Sequence, residues 1–147
     1  MTGDGRMREE LRRVSPDREM AKSILKMVAV RLKELETKER EEFATLVVED
    51  YYEILKELVT AIMAVDGYKT LSHEALFKYV KSTIAGVSES EVLFMNQLRV
   101  IRNKIAYKGF FINVDFLERN ESRIRVIVEK LRSILIERLN RSGAGEI

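Results

Sequence analysis

After Pro16 the chain contains no further proline, and apolar residues recur at intervals of three and four through most of the remaining sequence. That period lines up one stripe of side chains along an α-helix and does not fit the two-residue alternation of a β-strand. A fold made of many turns uses proline and glycine freely, and one proline with seven glycines is too few for an all-β architecture. The expected class is all-α: an antiparallel helical bundle of four long helices plus one short helix.

Local chemistry predicts where the helices begin and end. Ser15-Pro16-Asp17 reads as a start, with serine as cap, proline in the first helical position and an acid at the positive end of the dipole. Met20, Ile24, Met27, Val28, Leu32 and Leu35 form the expected buried stripe of this first helix. The second is expected from about Thr37 to Val65. Its row of Phe43, Val47, Ile54, Leu58 and Ile62 is widened by Leu46, Tyr51, Leu55 and Val59, a surface broad enough to touch several neighbours. Asp66-Gly67 ends it, the glycine being free to turn left-handed. Ser72 opens a short third helix with Leu76, Phe77 and Val80 on its apolar side. Ser88-Glu89-Ser90-Glu91 is a capping box for a fourth, whose stripe is Phe94, Leu98, Ile101 and Ile105 and whose exit is Gly109. Asn113 or Asp115 caps a fifth, with Leu117, Ile124, Val128, Leu131 and Leu135 facing inward. Residues 1–14 are expected to be a disordered tail, 15–141 a single domain, and 142–147 a flexible C-terminal tail.

Composition narrows the function. Without cysteine there is no disulfide framework and no thiolate metal site. One histidine supplies too few ligands for zinc, so neither a metal nor a cofactor is expected. No apolar run approaches the roughly 18–20 residues of a membrane span, and the first residues lack the apolar core of a secretory signal. No membrane partner and a cytoplasmic location are therefore expected. Neither a P-loop nor a glycine-rich dinucleotide fingerprint is present. The net charge of +2 conceals a polarity: residues 41–75 carry eight acids against two Lys/Arg, and residues 76–110 carry six Lys/Arg against two acids. A phosphate-bearing partner suits the second stretch.

That basic stretch contains Leu98-Arg99-Val100-Ile101-Arg102-Asn103-Lys104-Ile105-Ala106-Tyr107-Lys108-Gly109. Arg99, Arg102, Asn103, Lys104 and Lys108 are the candidate binding residues, since a guanidinium forks a phosphate through two parallel hydrogen bonds and an amide adds a donor. Gly67-Tyr68-Lys69-Thr70 leads into Ser72-His73-Glu74-Ala75-Leu76, and Val114-Asp115-Phe116-Leu117-Glu118-Arg119-Asn120 follows the basic stretch. Together these segments resemble a HEPN domain, over residues of roughly 15–140 in helix order and length. The resemblance implies a helical bundle that pairs into homodimers, often beside a nucleotidyltransferase partner in a toxin–antitoxin module. Many members are metal-independent ribonucleases, marked by an arginine, four to six intervening residues and a histidine, often with a polar residue after the arginine. Arg102 and Asn103 match the first two places; Tyr107 stands at the four-residue spacing and Gly109 at the six-residue spacing. No histidine follows His73. The candidate catalytic set carried over is thus Arg102, Asn103 and Tyr107.

The departure has a chemical meaning. Metal-independent RNA cleavage must deprotonate a ribose 2′-hydroxyl and protonate the leaving 5′-oxygen, and an imidazole with a reference pKa near 6.5 suits both. A phenol, at about 10, can donate a proton but is a poor base at neutral pH. The expected function is therefore a nucleotide-, RNA-phosphate- or partner-protein-binding domain without ribonuclease activity. The alternatives are a metal-independent ribonuclease toxin using Tyr107, and a purely structural helical assembly protein. Dimerisation is also expected from the wide apolar surface of the second helix. His73, opening a short helix, is expected to be exposed or locally hydrogen-bonded, with replacement of the motif histidine across a dimer as a further option. Glu49, Asp50, Glu53 and Glu57 read as a solvated acidic face with a cationic neighbour opposite.

Overall fold

Five helices and one short strand pair make up the chain over residues 11–145, which the computed structural model describes. They are β1 (Arg12–Arg13), α1 (Arg18–Glu36), α2 (Arg40–Asp66), β2 (Tyr68–Lys69), α3 (His73–Thr83), α4 (Glu89–Lys108) and α5 (Val114–Gly145). The all-α reading holds, with an antiparallel pair of two-residue strands added to it. Residues 11–14, expected in a tail, instead lie along the exit of α2: Arg12 pairs with Lys69, Arg13 with Tyr68, and the Val14 amide donates to the Gly67 carbonyl at 2.9 Å. The rest of the expected N-terminal tail, residues 1–10, lies outside the described residues. The expected C-terminal tail begins inside α5, which runs to Gly145.

Caps explain most of the boundaries. Ser72 accepts from the Ala75 amide at 3.1 Å, and both halves of the Ser88–Glu91 box are made. Asn113 accepts from the Asp115 amide at 3.0 Å as α5 begins. Two expected starts move. Asp17, rather than Ser15, caps α1 through the Met20 amide, because the Asp17 amide is itself held by the Ala64 carbonyl at 2.9 Å. Thr37 closes α1 by donating to the Glu34 carbonyl at 2.6 Å, which leaves Glu39 to cap α2 through the amides of Glu41 and Glu42.

α2 is the central element, packed against each of the other four helices. Its Val47, Val48, Tyr51, Tyr52, Ile54, Leu55, Leu58, Val59, Ala61 and Ile62 are all fully buried. Apart from Leu46, which is 44% exposed, and half-buried Phe43, the apolar breadth expected to serve a dimer is therefore covered within the chain. Arg31–Glu57 and Lys38–Asp50 pairs set α1 antiparallel to α2. Arg40–Glu121 near the start and Asp66–Arg138 near the end make α2 and α5 run the same way. This neighbouring pair corrects a wholly antiparallel arrangement. On α1 the contact is carried by Ala21, Val28 and Leu35, spaced by seven; Met20 and Met27 fall beside that line and are exposed. No helix among the described residues is long and apolar enough to cross a membrane.

Candidate functional site

α4 supplies the cations of the site, and α2 and the first turn of α3 supply what lies beneath them. Phe94, Met95 and Leu98 bury the inner face of α4, which places Arg99 and Arg102 on its flank at partial exposure. Arg99 is steered by its own helix: its Nε donates to Asn96 Oδ1 at 2.8 Å, three residues earlier. The guanidinium carbon of Arg102 lies 5.9 Å from the centre of the Tyr52 ring, a cation–π contact. Tyr52 in turn reaches α3, its hydroxyl lying 2.8 Å from His73 Nδ1 with the two rings tilted at 35°. Phe77 meets the Tyr52 ring edge-on at 5.9 Å and closes the floor.

The electrostatics of this cluster favour an anion. Most buried-side arginines of the molecule are matched by acids: Arg31 by Glu57, Arg40 by Glu121, Arg138 by Asp66. Among the described residues neither Arg99 nor Arg102 has a carboxylate partner. Burial, and then the charges of Lys56 and Arg102, push the His73 imidazole below its usual 6.5, with Glu53 opposing. Burial pushes the Tyr52 phenol up to about 12, against the pull of Arg99 and Arg102. At neutral pH the site therefore holds a neutral imidazole, a protonated phenol and two unmatched guanidiniums. In the Nε2–H tautomer Tyr52 donates to Nδ1 and leaves an N–H free to donate outward. Lys56 lies close by but is matched by Glu53 at 2.5 Å. A groove of about 560 Å³ between α3 and α4 leads up to Arg99, with Phe77, Val92 and Leu93 as its apolar lining.

The candidate residues read from the basic stretch do not all converge. Arg99 and Arg102 share one flank of α4, and Asn103 follows Arg102 at partial exposure. Lys104 turns away and sits over the Phe110 ring at 5.9 Å, and Lys108 is exposed at the last position of the helix. Tyr107 is exposed, and five residues along a helix turn it roughly 140° from Arg102. It does not reach the position that a proton-transfer partner of Arg102 would need. His73 comes close to that position within the same chain, through Tyr52. Sequence reasoning misses Tyr52 and Lys56: a tyrosine at helical spacing in an apolar row reads as core, and Tyr52 is indeed fully buried while its hydroxyl serves His73. The acidic face of α2 does have cationic neighbours, Lys38 for Asp50 and Arg31 for Glu57, and none of it meets Arg102. Among the described residues no cluster of three His, Asp or Glu side chains is arranged to hold a metal. No protein-family model matches the chain, and no curated protein or solved structure matches it.

Proposed function

We propose that this chain is a HEPN-like helical bundle that binds a phosphate-bearing ligand, a single-stranded RNA or a nucleotide, at Arg99 and Arg102. One observation carries the reading: among the described residues two guanidiniums one helical turn apart stand without carboxylate partners, whereas Arg31, Arg40 and Arg138 are each paired with an acid. An anion supplies the missing charge, and partial burial strengthens its attraction beyond that of a fully solvated pair. Asn96 holds Arg99 by Nε alone, so both terminal nitrogens remain to fork a phosphate.

The test is binding of a short labelled RNA followed by fluorescence anisotropy at several salt concentrations. Wild type should bind with a log–log salt slope of about −1.4, the value for two phosphates neutralised on a single strand. Arg99→Ala and Arg102→Ala should each weaken binding about tenfold or more, a loss of about 1.4 kcal/mol, while Arg141→Ala, on an exposed helical pair, should not. Equal affinity in all four proteins would place any RNA contact away from these two arginines and overturn the reading.

Phosphodiester cleavage is a second reading, favoured by the neutral His73 imidazole beside Arg102. In it His73 adopts the other tautomer, its Nδ1–H donating to the Tyr52 hydroxyl oxygen, so that Nε2 takes the 2′-hydroxyl proton; the 2′-oxygen attacks phosphorus, and the 5′-oxygen leaves with a proton from the protonated imidazole or from water. Cleavage in the presence of chelator that vanishes in His73→Gln but persists in Tyr107→Phe would select it over binding alone.

A further inference from the structure

Residues 92–114 contain four Lys/Arg and no Asp or Glu, and among the described residues the outer face they give α4 is left uncovered. Leu93, Val100 and Tyr107 recur there every seven residues and are 59%, 43% and 78% exposed. At 100° per residue they fall within about 40° of one another, along roughly 21 Å of helix. Beyond Gly109 follow Phe110 and Phe111, 47% and 83% exposed. Two hydrogen bonds hold this loop in place. The Phe110 amide donates to the Lys104 carbonyl at 3.3 Å, and the Ile112 amide donates to Thr45 Oγ1 on α2 at 2.8 Å. Single exposed apolar residues are ordinary, whereas a run of them with no acid interposed marks an interaction surface.

We propose that this face docks the chain on an anionic phospholipid surface, with Tyr107, Phe110 and Phe111 entering the boundary between headgroups and acyl chains. Charge names the occupant. Lys104 and Lys108 stand about 40° apart along one edge of the stripe, and Arg99 stands beyond its other edge, so cations flank the apolar line on both sides. That is the pattern of an interfacial amphipathic helix, whose apolar side sinks roughly 5–10 Å while its Lys and Arg meet anionic headgroups. The long stems of the two lysines let their ammonium groups reach phosphate while the rings go deeper. Lys104 already lies over the Phe110 ring at 5.9 Å, which couples a cation to an inserting ring. Tyr107 carries its hydroxyl at the tip and suits the wet side of the boundary. An anionic bilayer thus supplies, in one surface, apolar depth for the rings and phosphates for the cations.

This surface is separate from the guanidinium of Arg102. That residue lies roughly 140° around the helix from Tyr107 and roughly 160° from Val100, against the Tyr52 ring. Docking rests on the stripe and its lysines and stands independently of RNA binding. The lack of a helix long and apolar enough to cross a membrane does not bear on it. A span needs an unbroken apolar run, whereas an interfacial contact needs only a one-sided stripe.

Flotation of the full chain with vesicles tests the proposal. Wild type should float with vesicles of equal parts phosphatidylserine and phosphatidylcholine and far less with phosphatidylcholine alone. Binding should fall as added salt shortens the reach of the lysine charges. Phe111→Ser, at the most exposed of the aromatic positions, should weaken binding about tenfold with an unchanged helical circular dichroism spectrum. Lys108→Gln should weaken it about fivefold, the factor for one cation near an anionic surface. Arg102→Ala, and Val30→Ser on the exposed side of α1, should bind vesicles as wild type does. A wild type that stays out of the anionic vesicle fraction, or a Phe111→Ser that floats equally well, would overturn the docking. Flotation lost in Arg102→Ala would mean that lipid phosphate merely occupies the anion site, and would overturn it too. A wild type that ignores vesicles but self-associates until Phe111→Ser makes it monomeric would give the face to a second copy instead. RNA binding kept by a Phe111→Ser that no longer floats would support two separate surfaces.

Discussion

Arg102 and Arg125 are chemically identical side chains in opposite electrostatic circumstances. Arg125 reaches Glu36 at 2.5 Å and the Tyr51 hydroxyl at 3.0 Å, and so belongs to a closed network with Glu121 and Arg40. Arg102 has the face of Tyr52 and, among the described residues, no acid. The closed network is structural, and its loss should register as stability. Burial alone would raise the Glu121 carboxyl, but hydrogen bonds from Arg40 and Tyr51 hold it below its usual value. That contribution is present at pH values above the unfolded carboxylate pKa and is lost as pH falls through the lowered one. Tyr51→Phe removes the hydroxyl that donates to Glu121 at 2.5 Å and should cost about 1–3 kcal/mol in urea unfolding. It should also move acid unfolding to higher pH; an unchanged acid midpoint would show that Glu121 owes nothing to Tyr51. His73 gives a second residue-scale prediction. As the single histidine, it offers one imidazole signal to follow by NMR, and its midpoint should lie below 6.5. The unfolded imidazole takes up its proton first, so stability should fall as pH drops below about 6.5, and His73→Gln should flatten that part of the profile. A midpoint at or above 6.5 would contradict the buried cationic setting.

At the scale of elements, chain direction is controlled by caps and by left-handed glycines at helix exits. Gly67 has φ of +89°, and a Cβ there would stand 3.0 Å from the Val14 carbonyl oxygen, which lies against it in the N-terminal segment. Gly109 is also left-handed, at φ +63°, but a Cβ there would meet open space. Alanine at either site should cost about 1–2 kcal/mol for the backbone, and Gly67→Ala should cost measurably more because the Val14 strand must also shift. Equal losses in thermal or urea unfolding would mean that the strand contact contributes nothing. Much of this level is legible in the sequence: Ser72, the Ser88–Glu91 box and the Gly67 and Gly109 exits stand where local chemistry puts them. Ser15 and Thr37 mislead for a shared reason. Each is a good cap by residue type, but the amide of Asp17 is claimed by Ala64 from another helix and Thr37 spends its hydroxyl on the preceding turn. Met20 and Met27 mislead because a helical row has a width, and only tertiary packing chooses which edge of it is buried.

At the scale of the whole molecule, charge is redistributed by folding. The acid-rich residues 41–75 are matched from outside that segment, Asp50 by Lys38, Glu57 by Arg31 and Asp66 by Arg138. Of the basic residues 76–110, Lys78 and Lys81 meet acids at the surface, and among the described residues Arg99 and Arg102 stand without acids. Segment totals hint at this imbalance, but periodicity within a helix carries no information on which helices touch or in which direction. For that reason the parallel course of α2 and α5, and the meeting of Tyr52, His73 and Arg102 from three helices, are not legible in the sequence. The measurement that reaches the central claim most directly follows the His73 imidazole by NMR while a short single-stranded RNA is added at pH near 6.5. A phosphate held by Arg99 and Arg102 offsets the charges that depress His73, so the imidazole should shift toward its protonated position and saturate with the binding isotherm. RNA that binds while the His73 signal stays still would place the ligand elsewhere and contradict the site.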